Sequence, residues 1–139
     1  MRIPFRHIPT WGGQARARPM VDVVVEGLDL APQGCLLDSG ASAVRMGAHV
    51  ADLVGTDLTG APRASIAVGG DVVDCRMAEV TLEVRAGDAS HRWEAPVWFC
   101  DPWRPAFGLL GLAGFFDQFV VTICSYEEWL ELRPLTGTR

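Results

Sequence analysis

The feature that most constrains this chain is an apolar run that ends on an acidic residue and a glycine turn, Cys35-Leu36-Leu37-Asp38-Ser39-Gly40-Ala41-Ser42. The run has the character of a buried strand, and Gly34 separates it from a longer apolar stretch at 20–26. Asp38 is therefore predicted at the end of a hydrophobic strand, where burial disfavours the charged carboxylate. A carboxyl group in that position needs hydrogen-bond donors, a metal ion or a second acid with which it shares a proton.

The tripeptide Asp38-Ser39-Gly40 carries little information by itself. Gly40 permits a sharp turn, and Ser39 places a hydroxyl group beside the acid. Taken alone, Asp-Ser-Gly is more often a polar turn after a strand than a functional site. A functional interpretation needs a second feature of the chain.

Residue periodicity predicts an all-β domain. Apolar and polar residues alternate at 77–84 and at 91–100, as they do in half-buried strands. Two apolar runs flank Gly69-Gly70, a strong hairpin signal because paired glycines supply the positive φ that tight turns require. The spacing at 47–55 fits a short helix, and the aromatic segment at 114–119 has a helix-like character. The prediction is a closed barrel with one or two short helices.

Residues 1–19 are rich in glycine, proline and arginine and are predicted to form an irregular N-terminal arm. The apolar side chains of this arm, Phe5, Ile8 and Trp11, need cover from the rest of the protein or from a partner chain. Residues 20–139 are predicted to form one domain, since a chain of 139 residues has the length of a single domain.

Composition argues against several classes of protein. Hydrophobic residues make up 49% of the chain and charged residues 21%, so a buried core is expected and disorder is not. No apolar run approaches the ~18 residues of a membrane span. The 12 basic residues are all arginine and are scattered in a chain of net charge -5, which argues against a nucleic-acid-binding surface. The first residues lack the apolar core of a signal peptide, so a cytoplasmic location is expected.

The cysteines lie far apart in the sequence and form no C-x-x-C pair. Each lies within or at the end of an apolar run, and in a reducing compartment they are expected to be small buried hydrophobic side chains. A disulfide or a metal site is the less favoured interpretation. The four residues are Cys35, Cys75, Cys100 and Cys124. The histidines show no metal-ligand spacing either, so no metal and no cofactor is predicted.

A second apolar run lies about seventy residues after Asp38 and has the sequence Leu109-Leu110-Gly111. It is followed by Gly-Phe-Phe-Asp-Gln-Phe at 114–119. Leu-Asp-Ser-Gly-Ala-Ser and these two motifs, in this order and at this spacing, resemble the retropepsin-like aspartic proteases, and they are most similar to the bacterial single-domain branch. The resemblance covers about 20–134, most of the chain.

The resemblance implies a closed acid-protease-like barrel and an aspartic endopeptidase. In such enzymes two carboxylates share one proton and activate a water molecule that attacks the peptide bond. Because this chain has Asp-Ser-Gly once, it supplies half a site, and a homodimer would bring Asp38 of each protomer together on the two-fold axis. The implied partners are a peptide or protein substrate and a second copy of the chain, with no nucleic acid and no membrane.

The same resemblance assigns roles to individual residues. Ser39 would hydrogen-bond across the dimer beneath the aspartates, and Gly40 would allow close approach of the substrate backbone. Leu109-Leu110-Gly111 would support the catalytic loop from behind. Ala41 and Ser42 would contact substrate, and so would Val68, Gly69 and Gly70 in a flap that closes over it. Ser42 is a departure, because many viral relatives carry there a second aspartate that contacts the substrate backbone.

Two other functions compete with the protease. A non-catalytic module with the same fold would bind an extended peptide by strand addition under the hairpin. A cysteine-based redox or metal protein is opposed by the cysteine spacing. Retention of Asp38 in its motif favours catalysis, because a pure binder has no use for a costly buried acid pair.

Overall fold

The computed structural model describes residues 1–10 and 12–136, and this part of the chain contains twelve β-strands and one short helix. Strands account for 58% of the structure, so the all-β prediction is confirmed. The strands are β1 (Arg2–Pro4), β2 (Arg6–Pro9), β3 (Ala15–Arg18), β4 (Met20–Val25), β5 (Gln33–Leu37), β6 (Val44–Gly47), β7 (Arg63–Val68), β8 (Asp71–Ala86), β9 (Ala89–Asp101), β10 (Gly108–Leu110), β11 (Phe119–Cys124) and β12 (Trp129–Pro134); the helix is α1 (Ala48–Val54).

Six strands form a closed barrel in the order β4-β5-β10-β6-β9-β8, because β4 also pairs with β8 and completes the ring. The pairs β5–β10 and β6–β9 are parallel and the others are antiparallel. Alternating side chains of each strand enter the interior, as the period of two predicts. On β9 these are Trp93, Ala95, Val97 and Phe99, all buried.

The helix α1 follows β6 directly and ends where the sequence predicted. Gly55 adopts the left-handed conformation at φ 73°, and its N–H bonds to carbonyl oxygens of the last turn. Val50 and Ala51 are buried, which fastens α1 to the barrel.

The aromatic segment before β11 is a succession of turns and not a second helix. Gly114 has φ 96°, and the N–H groups of Phe116 and Asp117 donate to carbonyl oxygens five residues earlier. The helix-like spacing of its phenylalanines serves core packing instead, because Phe115 and Phe119 are buried against each other and against Trp93.

The prediction of an irregular N-terminal arm was wrong for most of residues 1–19. β1 pairs with β12, and the terminal ammonium of Met1 donates to the carbonyl oxygen of Leu132 at 2.8 Å. β2 and β3 form a two-stranded hairpin. Strands this short have too few residues for a periodic signal, and the partner of β1 lies at the opposite end of the chain. Trp11, predicted to need cover, lies outside the described residues.

The prediction of four free cysteines was wrong for Cys75 and Cys100, which form a disulfide. They lie directly opposite each other on the antiparallel strands β8 and β9, with their Cα atoms 4.1 Å apart. A separation of 25 residues gave no indication of the pairing, because the register of two long strands brings the thiols together. Cys35 is a free, buried thiol and Cys124 a free, half-buried one.

Candidate active site

Asp38 is the first residue after β5, and backbone hydrogen bonds hold it in place. Its N–H donates to the carbonyl oxygen of Leu110 at 3.0 Å, and its own carbonyl oxygen accepts from the N–H of Ala41 at 3.1 Å. The carboxylate oxygen Oδ1 accepts from the N–H of Gly40 at 2.9 Å. The prediction that Asp38 directly follows a hydrophobic strand is confirmed. Cys35 and Leu37 of β5 are buried, whereas Leu36 and the side chain of Asp38 are half-buried.

The Leu109-Leu110-Gly111 segment lies behind the Asp38 loop, as predicted. β10 runs parallel to β5, and the chain after it continues along the loop, where the N–H of Leu112 donates to the carbonyl oxygen of Ala41 at 2.9 Å. A Cβ on Gly111 would lie 2.6 Å from that same oxygen and would also collide with the carbonyl oxygen of Ala43. Glycine at 111 is therefore required by the close contact of the two loops.

The hairpin predicted around Gly69-Gly70 is formed by β7 and β8. Val68 pairs with Asp71 across a two-residue turn, and the two glycines have φ angles of 57° and 86°. This is the geometry that favours glycine at both turn positions. Asp71 forms an ion pair with Arg104 at 3.2 Å, which ties the hairpin to the loop that follows β9.

The hairpin and the Asp38 loop enclose a cleft of about 460 Å³. This is within the volume range of binding sites in proteins. The predicted residues that line it are Asp38, Gly40, Ala41, Ser42, Val68 and Gly69. Leu109 also lines the cleft, although sequence analysis assigned it only a supporting role behind the loop. Residues that sequence analysis did not assign to the site complete the lining: Arg45, Ala67, Pro105 and Phe107. Ser39 is exposed, and neither it nor Gly70 is among the lining residues.

A comparison with solved structures finds a retropepsin-like aspartic protease from Rickettsia conorii with a TM-score of 0.54. The alignment covers 94% of this chain and 86% of that one at 15% sequence identity. The chain has the retropepsin-like fold. The protease of EIAV, solved with the inhibitor HBY-793, matches 68% of this chain and 81% of its own at 18% identity and a TM-score of 0.39. No family model matches the sequence. No curated protein matches it either.

Within this retropepsin-like fold, Asp117 lies away from the cleft lining. Its Oδ1 accepts from the N–H of Gly114 at 3.1 Å and from the side-chain amide of Gln118 at 3.2 Å. These bonds give Asp117 a local role in holding the turns before β11.

The cleft residues that the sequence did not reveal come from three separate parts of the chain. Arg45 carried a weak signal, because it is a charged residue between the apolar Val44 and Met46. No sequence signal pointed to Pro105 and Phe107, because tertiary contacts determine the position of the loop before β10. Its Trp103 donates from Nε1 to the carbonyl oxygen of Phe107 at 3.2 Å.

The described residues contain no group of three or more histidine, cysteine or acidic side chains placed to hold a metal ion. Among residues 1–10 and 12–136, no helix is long and apolar enough to cross a membrane.

Proposed function

We propose that this protein is an aspartic endopeptidase whose active site forms from two copies of the chain. The observation that carries the proposal is the placement of Asp38, held at the end of the hydrophobic strand β5 and lining a cleft below the Gly69-Gly70 hairpin. A carboxylate that accepts a hydrogen bond from a backbone N–H and lines a peptide-sized cleft is suited to acid–base chemistry.

Hydrolysis by such a site needs a second carboxyl group. Among the described residues that line the cleft, Asp38 is the only acidic one. The second acid in this proposal is therefore Asp38 of a partner protomer related by two-fold symmetry. The two groups would share one proton. The ionised member would take a proton from water while the protonated member donates a hydrogen bond to the scissile carbonyl oxygen. Because one proton must remain on the pair, activity is expected to be highest in mild acid.

The neighbouring residues receive supporting roles in this proposal. The exposed Ser39 would hydrogen-bond across the two-fold axis, and Gly40 would allow the substrate backbone to approach Asp38. Ala41 and Ser42 would contact the peptide from below. The hairpin residues Val68, Gly69 and Gly70, which belong to β7 and the turn after it, would contact it from above as a flap.

The experiment compares wild-type protein with Asp38→Asn in a peptide-library cleavage assay. The substitution keeps the size of the side chain and removes its acid–base function, so a loss of about 100-fold to 10,000-fold in kcat is expected. The matched control is Asp88→Asn, which alters an exposed aspartate in the turn between β8 and β9 and leaves the cleft untouched. Equal hydrolysis by wild-type protein and Asp38→Asn would show that the proposed mechanism is wrong.

A mixing experiment tests whether the dyad is shared. Wild-type protein is incubated with an equal amount of Asp38→Asn until the subunits have exchanged. If both protomers must supply Asp38, about one quarter of the dimers remain active, so each wild-type chain retains about half of its activity. Activity that stays proportional to the amount of wild-type chain contradicts a shared site. Sedimentation of the same mixtures gives the oligomeric state.

A second candidate function is peptide binding without hydrolysis. The observation that favours it is the position of β7 at the end of the sheet order, because an edge strand can pair with an extended peptide. This function predicts that wild-type protein and Asp38→Asn bind the same peptides with equal affinity and that neither cleaves them.

A further inference from the structure

Arg45 is a charged side chain on a strand whose neighbouring residues are part of the core. Val44 and Met46 are 0% and 1% exposed, whereas Arg45 is half-buried. Successive side chains of a strand point to opposite faces, so Arg45 lies on the face away from the barrel interior. That face borders the cleft, and Arg45 lines it together with Asp38.

The guanidinium of Arg45 is held by a hydroxyl group, and within the described part of the chain it has no carboxylate partner. Its Nη2 donates to the Oγ of Ser42 at 3.0 Å. None of the ion pairs formed among residues 1–10 and 12–136 includes Arg45, although Arg63 and Arg104 near the hairpin each bind a carboxylate. A guanidinium has five N–H donors, so most of them remain available.

Partial burial also makes this cation costly to leave unpaired. Burial lowers the pKa of Arg45, because the charged form loses part of its hydration. Among the described residues of the cleft lining, only Asp38 and Arg45 are charged. The remaining lining residues are glycines, Ser42 and residues with apolar side chains. A carboxylate that entered the cleft would replace the hydration that Arg45 has lost and would meet one fixed positive group.

We infer that Arg45, oriented by Ser42, binds a carboxylate of the substrate, so that the cleft selects peptides with an acidic group close to the scissile bond. The planar guanidinium matches the two oxygens of a carboxylate, and such charge-assisted pairs are among the stronger hydrogen bonds. This inference rests on the proposed function, because it names the substrate class of the same cleft. The carboxylate belongs either to an aspartate or glutamate side chain or to the C-terminus of the peptide.

The test uses paired peptides that differ at one position. A library of peptides with glutamate at each position in turn is compared with the same library carrying glutamine, and each peptide is made with a free and with an amidated C-terminus. Wild-type protein is used to measure kcat/KM. Asp38→Asn protein is used to measure binding by fluorescence anisotropy, since it retains the cleft and lacks the proposed catalytic group.

At one position, glutamate is expected to raise both kcat/KM and affinity about tenfold or more over glutamine. In Arg45→Leu this ratio should fall to about one, and Arg45→Glu should reverse the preference towards lysine or arginine at the same position. Arg92→Leu is the matched control, because Arg92 lies outside the cleft lining and pairs with Glu26, and its ratio should equal that of wild-type protein. A preference for the free over the amidated C-terminus identifies the chain end as the source of the carboxylate.

The results separate the two proposals. If no peptide with a carboxylate binds or is cleaved in preference to its neutral partner, or if Arg45→Leu keeps the wild-type ratio, the inference about Arg45 is overturned. If Asp38→Asn protein binds glutamate peptides more tightly than the matching glutamine peptides but wild-type protein cleaves none of them, the proposed catalysis is wrong and the carboxylate subsite is supported.

Discussion

The N–H of Asp38 donates a hydrogen bond to the carbonyl oxygen of Leu110, and the two atoms lie 3.0 Å apart. This bond joins the two motifs of the chain, because it continues the parallel pairing of β5 with β10 one residue past the end of β5, to the last residue of β10. The position of the Asp38 loop therefore depends on the segment behind it. Substitutions in that segment should alter the site without touching Asp38.

Gly111→Ala is expected to destabilise the protein by about 2 kcal/mol or more, because the new methyl group would collide with backbone carbonyl oxygens that cannot move independently. Urea unfolding measures the loss. Gly34→Ala on β5 is the matched control: its Cβ would lie 3.1 Å from the end of the flexible Arg6 side chain, and a change below about 1 kcal/mol is expected. Equal effects of the two substitutions would contradict the close contact of the loops.

Gly69→Val should loosen the hairpin by about 1–2 kcal/mol, because φ at this position is 57° and a β-branched residue is strained there. Gly69→Asn should cost much less, since asparagine tolerates the left-handed region and is common in such turns. Amide hydrogen exchange of β7 and β8 reports opening of the hairpin directly. Equal exchange rates in the valine and asparagine variants would disagree with this turn geometry.

Reduction of the Cys75–Cys100 disulfide should lower the free energy of unfolding by about 3 kcal/mol, the magnitude expected for a loop closed over 25 residues. Urea unfolding with and without reductant measures it. The double variant Cys75→Ala/Cys100→Ala should lose this dependence on reductant, whereas Cys124→Ala should keep it. Four reactive thiols in the unfolded, unreduced protein would rule out the disulfide.

Cys35 and Cys124 should differ in reactivity. Burial raises the pKa of the Cys35 thiol to about 12, with a smaller contribution from the charge of Asp22. Only the thiolate reacts with alkylating agents, so at pH 8 Cys35 should remain unmodified in the folded protein while Cys124 is labelled. Peptide mass mapping after brief alkylation distinguishes them, and equal labelling of both would contradict the burial of Cys35.

The same pKa shift predicts a dependence of stability on pH. Below about pH 9 the Cys35 thiol keeps its proton in the folded and the unfolded chain, and it causes no change in stability. Between about pH 9 and 12 the unfolded chain loses this proton first, so stability should fall with rising pH, by up to about 1.4 kcal/mol per pH unit. Cys35→Ala should lose this contribution, and Cys124→Ala serves as the control in urea unfolding at each pH.

Local patterns in the sequence were sufficient for the main elements of the fold. Alternation in β9, the paired glycines of the hairpin and the stop of α1 at Gly55 were all predicted, because each depends on residues within one strand or turn. The position of Asp38 at the end of a strand was predicted for the same reason. The aromatic turns before β11 were mistaken for a helix-like segment, since the same spacing of phenylalanines also fits residues packed in the core.

Tertiary structure alone decided which distant residues meet. The pairing of β1 with β12, the disulfide between Cys75 and Cys100 and the entry of Arg45 into the cleft each depend on the register of strands far apart in the chain. The sequence by itself determined the strands, the turn glycines and the acid at the end of β5, because these follow from backbone conformation and the burial of alternate side chains. The contacts between strands follow from closure of the barrel, which no local pattern encodes.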